Sequence, residues 1–99
     1  MLKTTKTVQD EKAVVVLEGR LDTVTSSELE NELKTLPDDV RELTLDFEKL
    51  DYISSSGLRV LLAAQKKMIG RGEMQIVHVN DVIRDIFEIT GFSDILTIL

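Results

Sequence analysis

Hydrophobic residues recur along this chain at two spacings in turn, every second position and then every third or fourth. That alternation predicts strands interleaved with helices. The first segment, Leu2 to Val8 (LKTTKTV), alternates weakly and is rich in threonine, which reads as a strand. After the polar QDEK comes AVVVLEG, a β-branched run from Ala13 to Gly19 that reads as a buried strand and is placed to form a hairpin with the first. In TVTSSELENELKTL, Val24, Leu29, Leu33 and Leu36 fall at helical spacing with acids between them. Thr25 or Ser26 can cap this helix, with Glu28 at capping-box distance from Thr25, and Pro37 ends it. RELTLDF, Arg41 to Phe47, alternates cleanly with Leu43, Leu45 and Phe47 on one side, and EKLDYI reads as a short connection.

Three serines, Ser54, Ser55 and Ser56, then precede Gly57 and a long apolar helix. Its pattern puts Leu58, Leu61, Leu62, Gln65, Met68 and Ile69 on one face and Arg59, Lys66 and Lys67 on the other. Gly70 and Gly72 stop it. GEMQIVHV gives a further strand. Asn80 caps the helix DVIRDIFEIT, with Val82, Ile83, Ile86, Phe87 and Ile89 toward the core; Gly91 ends it. FSDILTIL closes the chain as a short turn and an edge strand. The predicted order is β-β-α-β-α-β-α-β, an α/β fold with a mixed, mostly parallel sheet. In such sheets ligands and partners meet the carboxyl ends of the strands. The segments Gly19–Thr25 and Leu50–Gly57 fall there, which places the serines next to Asp22.

Length and composition narrow the picture. The 99 residues read as one domain, 1–99, with 42% hydrophobic and 30% charged residues. The aromatics are Phe47, Tyr52, Phe87 and Phe92, so the core must be aliphatic. With no cysteine there is no disulfide and no thiolate metal site. The polar beginning, MLKTTKTVQDEK, is unlike a signal peptide, and no apolar run approaches the roughly 20 residues of a membrane span. A cytoplasmic protein with no membrane role is expected. The formal net charge is −6, concentrated between Asp22 and Asp51, where ten acids face three bases. Such a surface repels nucleic acid and suits a partner with a basic face.

Enzyme chemistry finds little footing. His78 is the only histidine and reads as a partly buried or edge-strand residue. A triad of Ser56, His78 and Asp22 lacks the G-x-S-x-G elbow, and no phosphate-binding glycine loop is present. Asp22, Asp46 and Asp51 would hold Mg²⁺ only if they converged, and neither a metal nor another cofactor is expected. The serine cluster is different. One serine suffices as a cap, and Gly57 costs about 1 kcal/mol in a first helical turn, where its missing side chain would let a partner's backbone come close. A phosphate added at that helix end would meet free N–H groups and the positive end of the dipole. It would also bring a charge of about −1.5 to −2 beside Asp22 and Asp51.

Taken together, DYISSSGLRVLLAAQKKM with GRGEMQIVHV, VVLEGRLDTVTSSELENEL and VIRDIFEITGFSDIL resemble the STAS domain, specifically the small bacterial anti-sigma factor antagonists. The resemblance covers nearly the whole chain. It implies a mixed β-sheet with helices packed mainly on one side, and a partner-switching role without catalysis. The unphosphorylated antagonist binds an anti-sigma factor that is also a serine kinase of the GHKL type, and the sigma factor is released. Phosphorylation of the serine before the glycine ends the binding, and a PP2C-type phosphatase restores it. Carried onto this sequence, the phosphosite is Ser56, with Ser55 as the alternate. Asp22 matches the family's acidic residue near it. Asp22, Thr23, Ser54, Ser55, Gly57, Leu58 and Arg59 would form the contact surface. Many family members carry Asp where this chain has Ser54, which keeps a cap and drops a charge. Two other roles are open to such a domain: a STAS subunit of a lipid-transport or sensor assembly, and a small domain that binds a nucleotide or phosphate at the same helix end.

Overall fold

The structure is a computed structural model and describes residues 1–99. Strand β1 (Leu2–Gln9) turns through Asp10 and Glu11 into β2 (Lys12–Leu21), with Asp10 in the left-handed region that Asp tolerates. The chain continues through α1 (Ser26–Lys34), β3 (Glu42–Ile53), α2 (Ser55–Met68), β4 (Glu73–Val77) and α3 (Asp81–Thr90), and then a 3-10 turn, Phe92–Asp94. The sheet order is β1-β2-β3-β4. β1 runs antiparallel to β2, whereas β2–β3 and β3–β4 are parallel. The fold is therefore the mixed, mostly parallel α/β sheet that the interleaved spacings predict.

Period-2 alternation divides the two faces of the sheet. Ala13, Val15 and Leu17 of β2, Leu43, Leu45 and Phe47 of β3, and Met74 and Ile76 of β4 are all buried beneath the helices. Their neighbours Val14, Val16, Thr44 and Gln75 point the other way and stay partly or fully exposed. From α1 the core receives Leu29, from α2 Leu58, Leu61 and Met68, and from α3 Ile83 and Phe87. The rings of Phe87 and Phe47 lie 6.3 Å apart, tying α3 to the sheet. Such a pair adds about 0.5–1.5 kcal/mol beyond its burial. None of these helices is long and apolar enough to cross a membrane.

Four sequence expectations need correction. EKLDYI is not a connection but the second half of β3. The register shifts between Val16 and Glu18 and between Gly19 and Arg20 give β3 extra residues, so Glu48 and Lys49 are both exposed and the alternation is interrupted. Pairing then resumes through Leu50, Tyr52 and Ile53, and β2 runs on to Leu21. The core faces of two helices are narrower than their patterns suggest. Ile69 is 68% exposed because the backbone leaves the helix after Met68; Val82 and Ile89 are 59% and 84% exposed because α3 offers the sheet only its Ile83–Phe87 stripe. The closing edge strand shrinks to one parallel bridge, Ile98 against Ile76. His78 is neither buried nor in the strand. It follows the end of β4, exposed, with a φ of 60°.

Candidate functional site

β2 and β3 end side by side at the register pair Leu21–Ile53. The next amide, that of Ser54, donates to the Leu21 carbonyl at 2.8 Å, so α2 begins directly from the end of the ladder. Ser54 is extended, and its Oγ accepts from the Gly57 amide at 3.3 Å; its carbonyl accepts from Leu58 at 3.0 Å. The cap is therefore Ser54, which leaves Ser55 and Ser56 on the first two helical positions. Their amides belong to the set that every helix start leaves for solvent or a ligand. Ser55 is exposed and Ser56 half-buried. Replacing Ser54 with Ala should lower stability by about 1 kcal/mol, read as a lower urea midpoint at unchanged slope.

Gly57 turns inward. A Cβ built on it would lie 2.8 Å from Leu21 Cγ and 2.9 Å from Ile53 Cγ1. Both of those side chains are fully buried. The glycine exists to let α2 approach the strand ends, not to admit the backbone of another protein. Leu58 is buried as well. Of the residues expected to line the contact surface, Asp22, Thr23, Ser54, Ser55 and Arg59 reach solvent, while Gly57 and Leu58 do not.

Asp22 is occupied locally. Its Oδ1 accepts from the amides of Val24 at 3.0 Å and Thr25 at 2.9 Å. In return the Asp22 amide donates to Thr25 Oγ1 at 2.9 Å. This reciprocal pair opens α1 in place of the expected Thr25–Glu28 box; the Thr25 hydroxyl, turned back toward Asp22 and the Arg20 carbonyl, makes no cap of its own. The Thr25 amide, above all, holds the Asp22 carboxyl below its ordinary value of 3.8, against an opposing effect of partial desolvation. A depressed folded value means that the stabilisation is complete above 3.8 and is lost as pH falls through the folded value. In acid denaturation, wild type should exceed Asp22→Ala by a constant margin down to about pH 4, and the margin should close below it.

Sequence reasoning missed one pair beside the strand ends. Arg20 and Tyr52 are register partners, and the guanidinium carbon lies 4.5 Å from the ring centroid. The pair flanks the Leu21–Ile53 step that ends in Ser54. Its signal in the sequence is the register alone, and that depends on the bulges. His78 has no part in this site: its Nδ1 lies 3.0 Å from Asp46 Oδ1. Asp46 is held below its ordinary value even though desolvation, the largest single influence, acts to raise it; the Glu48 amide and His78 together prevail. The Asp46 carboxylate raises His78 in turn. Ser56, His78 and Asp22 thus form no triad, and Asp46 gathers with Glu48 and His78 rather than with Asp22 and Asp51.

A one-sided mixed sheet with a capped serine helix starting directly from two strand ends defines a small α/β domain. The chain belongs to the STAS domain family: the profile described as "Mlab, STAS domain" matches residues 4–98. The putative anti-sigma factor antagonist BtrV of Bordetella bronchiseptica is 34% identical over 99 residues, 98% of this chain and 85% of that protein. The anti-sigma-B factor antagonist of Staphylococcus aureus is 34% identical over 92 residues, covering 91% of this chain and 85% of the relative. Among solved structures, an anti-sigma factor antagonist from Mycobacterium paratuberculosis superposes with a TM-score of 0.89 at 23% identity, over 99% of this chain and 85% of that one. The Bacillus protein SpoIIAA in its phosphorylated form gives 0.74 at 20%, over 100% and 91%.

Proposed function

We propose that this protein is an anti-sigma factor antagonist whose binding is switched off by phosphorylation of Ser56. The observation that carries the reading is the division of labour in the serine loop. Ser54 supplies the cap, so the Ser56 hydroxyl on the first turn of α2 is free for another use. A phosphate there would lie at the positive end of the helix dipole. It would also add negative charge on the side of the sheet where Asp22 is held ionised. Support comes from the two relatives, both named as antagonists. SpoIIAA, which shares the fold, has been solved in a phosphorylated form. The contact surface would comprise Asp22, Thr23, Ser54, Ser55 and Arg59, with the Arg20–Tyr52 pair at its edge. The partners would be a GHKL-type serine kinase that doubles as the anti-sigma factor and a PP2C-type phosphatase, meeting this protein in the cytoplasm.

Incubation with the cognate kinase and ATP, followed by mass spectrometry of the α2 peptide, tests the reading. Label on Ser56 that a PP2C-type phosphatase removes supports it; label on Ser55 alone moves the switch by one residue, and no label on either overturns it.

A further inference from the structure

Asp46 projects from the uncovered face of β3, between its register partners Val16 and Val77. The bulge that follows brings Glu48 round to the same side, its amide donating to Asp46 Oδ1 at 3.0 Å. His78 leaves β4 in a left-handed conformation and turns its ring back onto the same carboxylate. One ligand atom from each of Asp46, Glu48 and His78 lies within 4.8 Å of the other two. Glu48 and His78 are exposed and Asp46 partly so. An isolated His–Asp ion pair needs no third member, whereas here a second carboxylate shares the position.

We propose that Asp46, Glu48 and His78 form a three-ligand site for a divalent transition-metal ion such as Zn²⁺, with water completing the coordination. Bonds of about 2.0–2.2 Å to imidazole nitrogen and carboxylate oxygen put two ligand atoms of one ion about 2.9–3.5 Å apart. Asp46 and His78 already stand at 3.0 Å, so Glu48, an exposed and rotatable side chain, is the only ligand that must close in. Two carboxylates and a neutral imidazole balance the charge of a divalent ion. The imidazole selects zinc, copper or nickel over magnesium and calcium, which prefer oxygen alone. An ion here would clamp the β4–α3 junction to β3, which Asn80 already ties by donating to the Leu50 carbonyl at 2.9 Å. The site is independent of the fate of Ser56.

The test uses the untagged full chain after chelator treatment, titrated with Zn²⁺ or Mg²⁺ in a calorimeter. Because His78 is the only histidine, its imidazole resonances report the site without ambiguity. One zinc ion per chain should bind and shift those resonances, and Mg²⁺ should not compete. His78→Asn, chosen because Asn tolerates the same backbone conformation, and Glu48→Gln should each keep the far-UV spectrum and weaken zinc binding at least about tenfold. Absent zinc binding, zinc affinity unmoved by His78→Asn, or an equal preference for Mg²⁺ overturns the assignment.

Discussion

Ser56→Asp should fold at least as stably as the wild type and lose affinity for the anti-sigma factor by about 100-fold or more. The two halves of that expectation have separate causes. A carboxylate in the first turn of α2 faces the positive end of the helix dipole, which favours it by about 0.3–1 kcal/mol. Under the proposed function the same carboxylate would be a new charge on the surface that meets the partner, where the wild type offers a neutral hydroxyl. Unpaired or like charges within an interface cost several kcal/mol, and each 1.4 kcal/mol is about tenfold in affinity. Stability and binding should therefore move in opposite directions, which a merely misfolded variant cannot do. Ser56→Ala is the complement: it should bind as wild type and remain bound when kinase and ATP are supplied. Calorimetric titration of the anti-sigma factor with each variant, beside urea unfolding of each, reads both effects. Full binding by Ser56→Asp would exclude a switch at this residue.

Gly57→Leu should destabilise the domain by about 3 kcal/mol or more, with binding lost only as a consequence. Removing a glycine from a helix turn ordinarily gains about 1 kcal/mol. Here the first added carbon already comes within 3 Å of Leu21 and Ile53. These two close the ends of β2 and β3 and cannot step aside without disturbing the ladder. Overpacking of this kind costs about 1–3 kcal/mol for modest insertions, and a leucine brings three more carbons than the Cβ considered. Gly57→Ala should fall between wild type and Gly57→Leu. A urea midpoint for Gly57→Leu equal to wild type would show that the contact is soft and return the glycine to the partner surface.

Much of this was legible before any coordinates, and what was hidden has a common physical origin. β2, the first half of β3, α2 and the caps at Asn80 and Gly91 follow from spacing and local chemistry, because each is fixed by residues close in sequence. The second half of β3 was not legible: two consecutive exposed residues, Glu48 and Lys49, imitate a loop, and only the pairs Glu18–Lys49 and Gly19–Leu50 keep the segment in the sheet. Val82 and Ile89 carry a helical apolar pattern that cannot tell how wide a face the sheet covers. At the site, the serines and Asp22 declared themselves as a pattern. That Gly57 serves the core beside Leu21 and that His78 meets Asp46 are facts of contact between distant segments, and no periodicity encodes them; the Asp22–Thr25 turn is local, but the same residues also allowed a Thr25–Glu28 box.

Only Ser54 separates the last residue of β3 from the first of α2, and its amide is fixed to the end of β2. A junction so short has no slack. A group added two residues further on has no hinge to work, so the backbone of the modified and unmodified proteins should coincide. The signal would then be carried by the identity of one oxygen's substituent, not by a change of shape. Its speed would be set by the enzymes that add and remove the group, with no relaxation of this domain in the way.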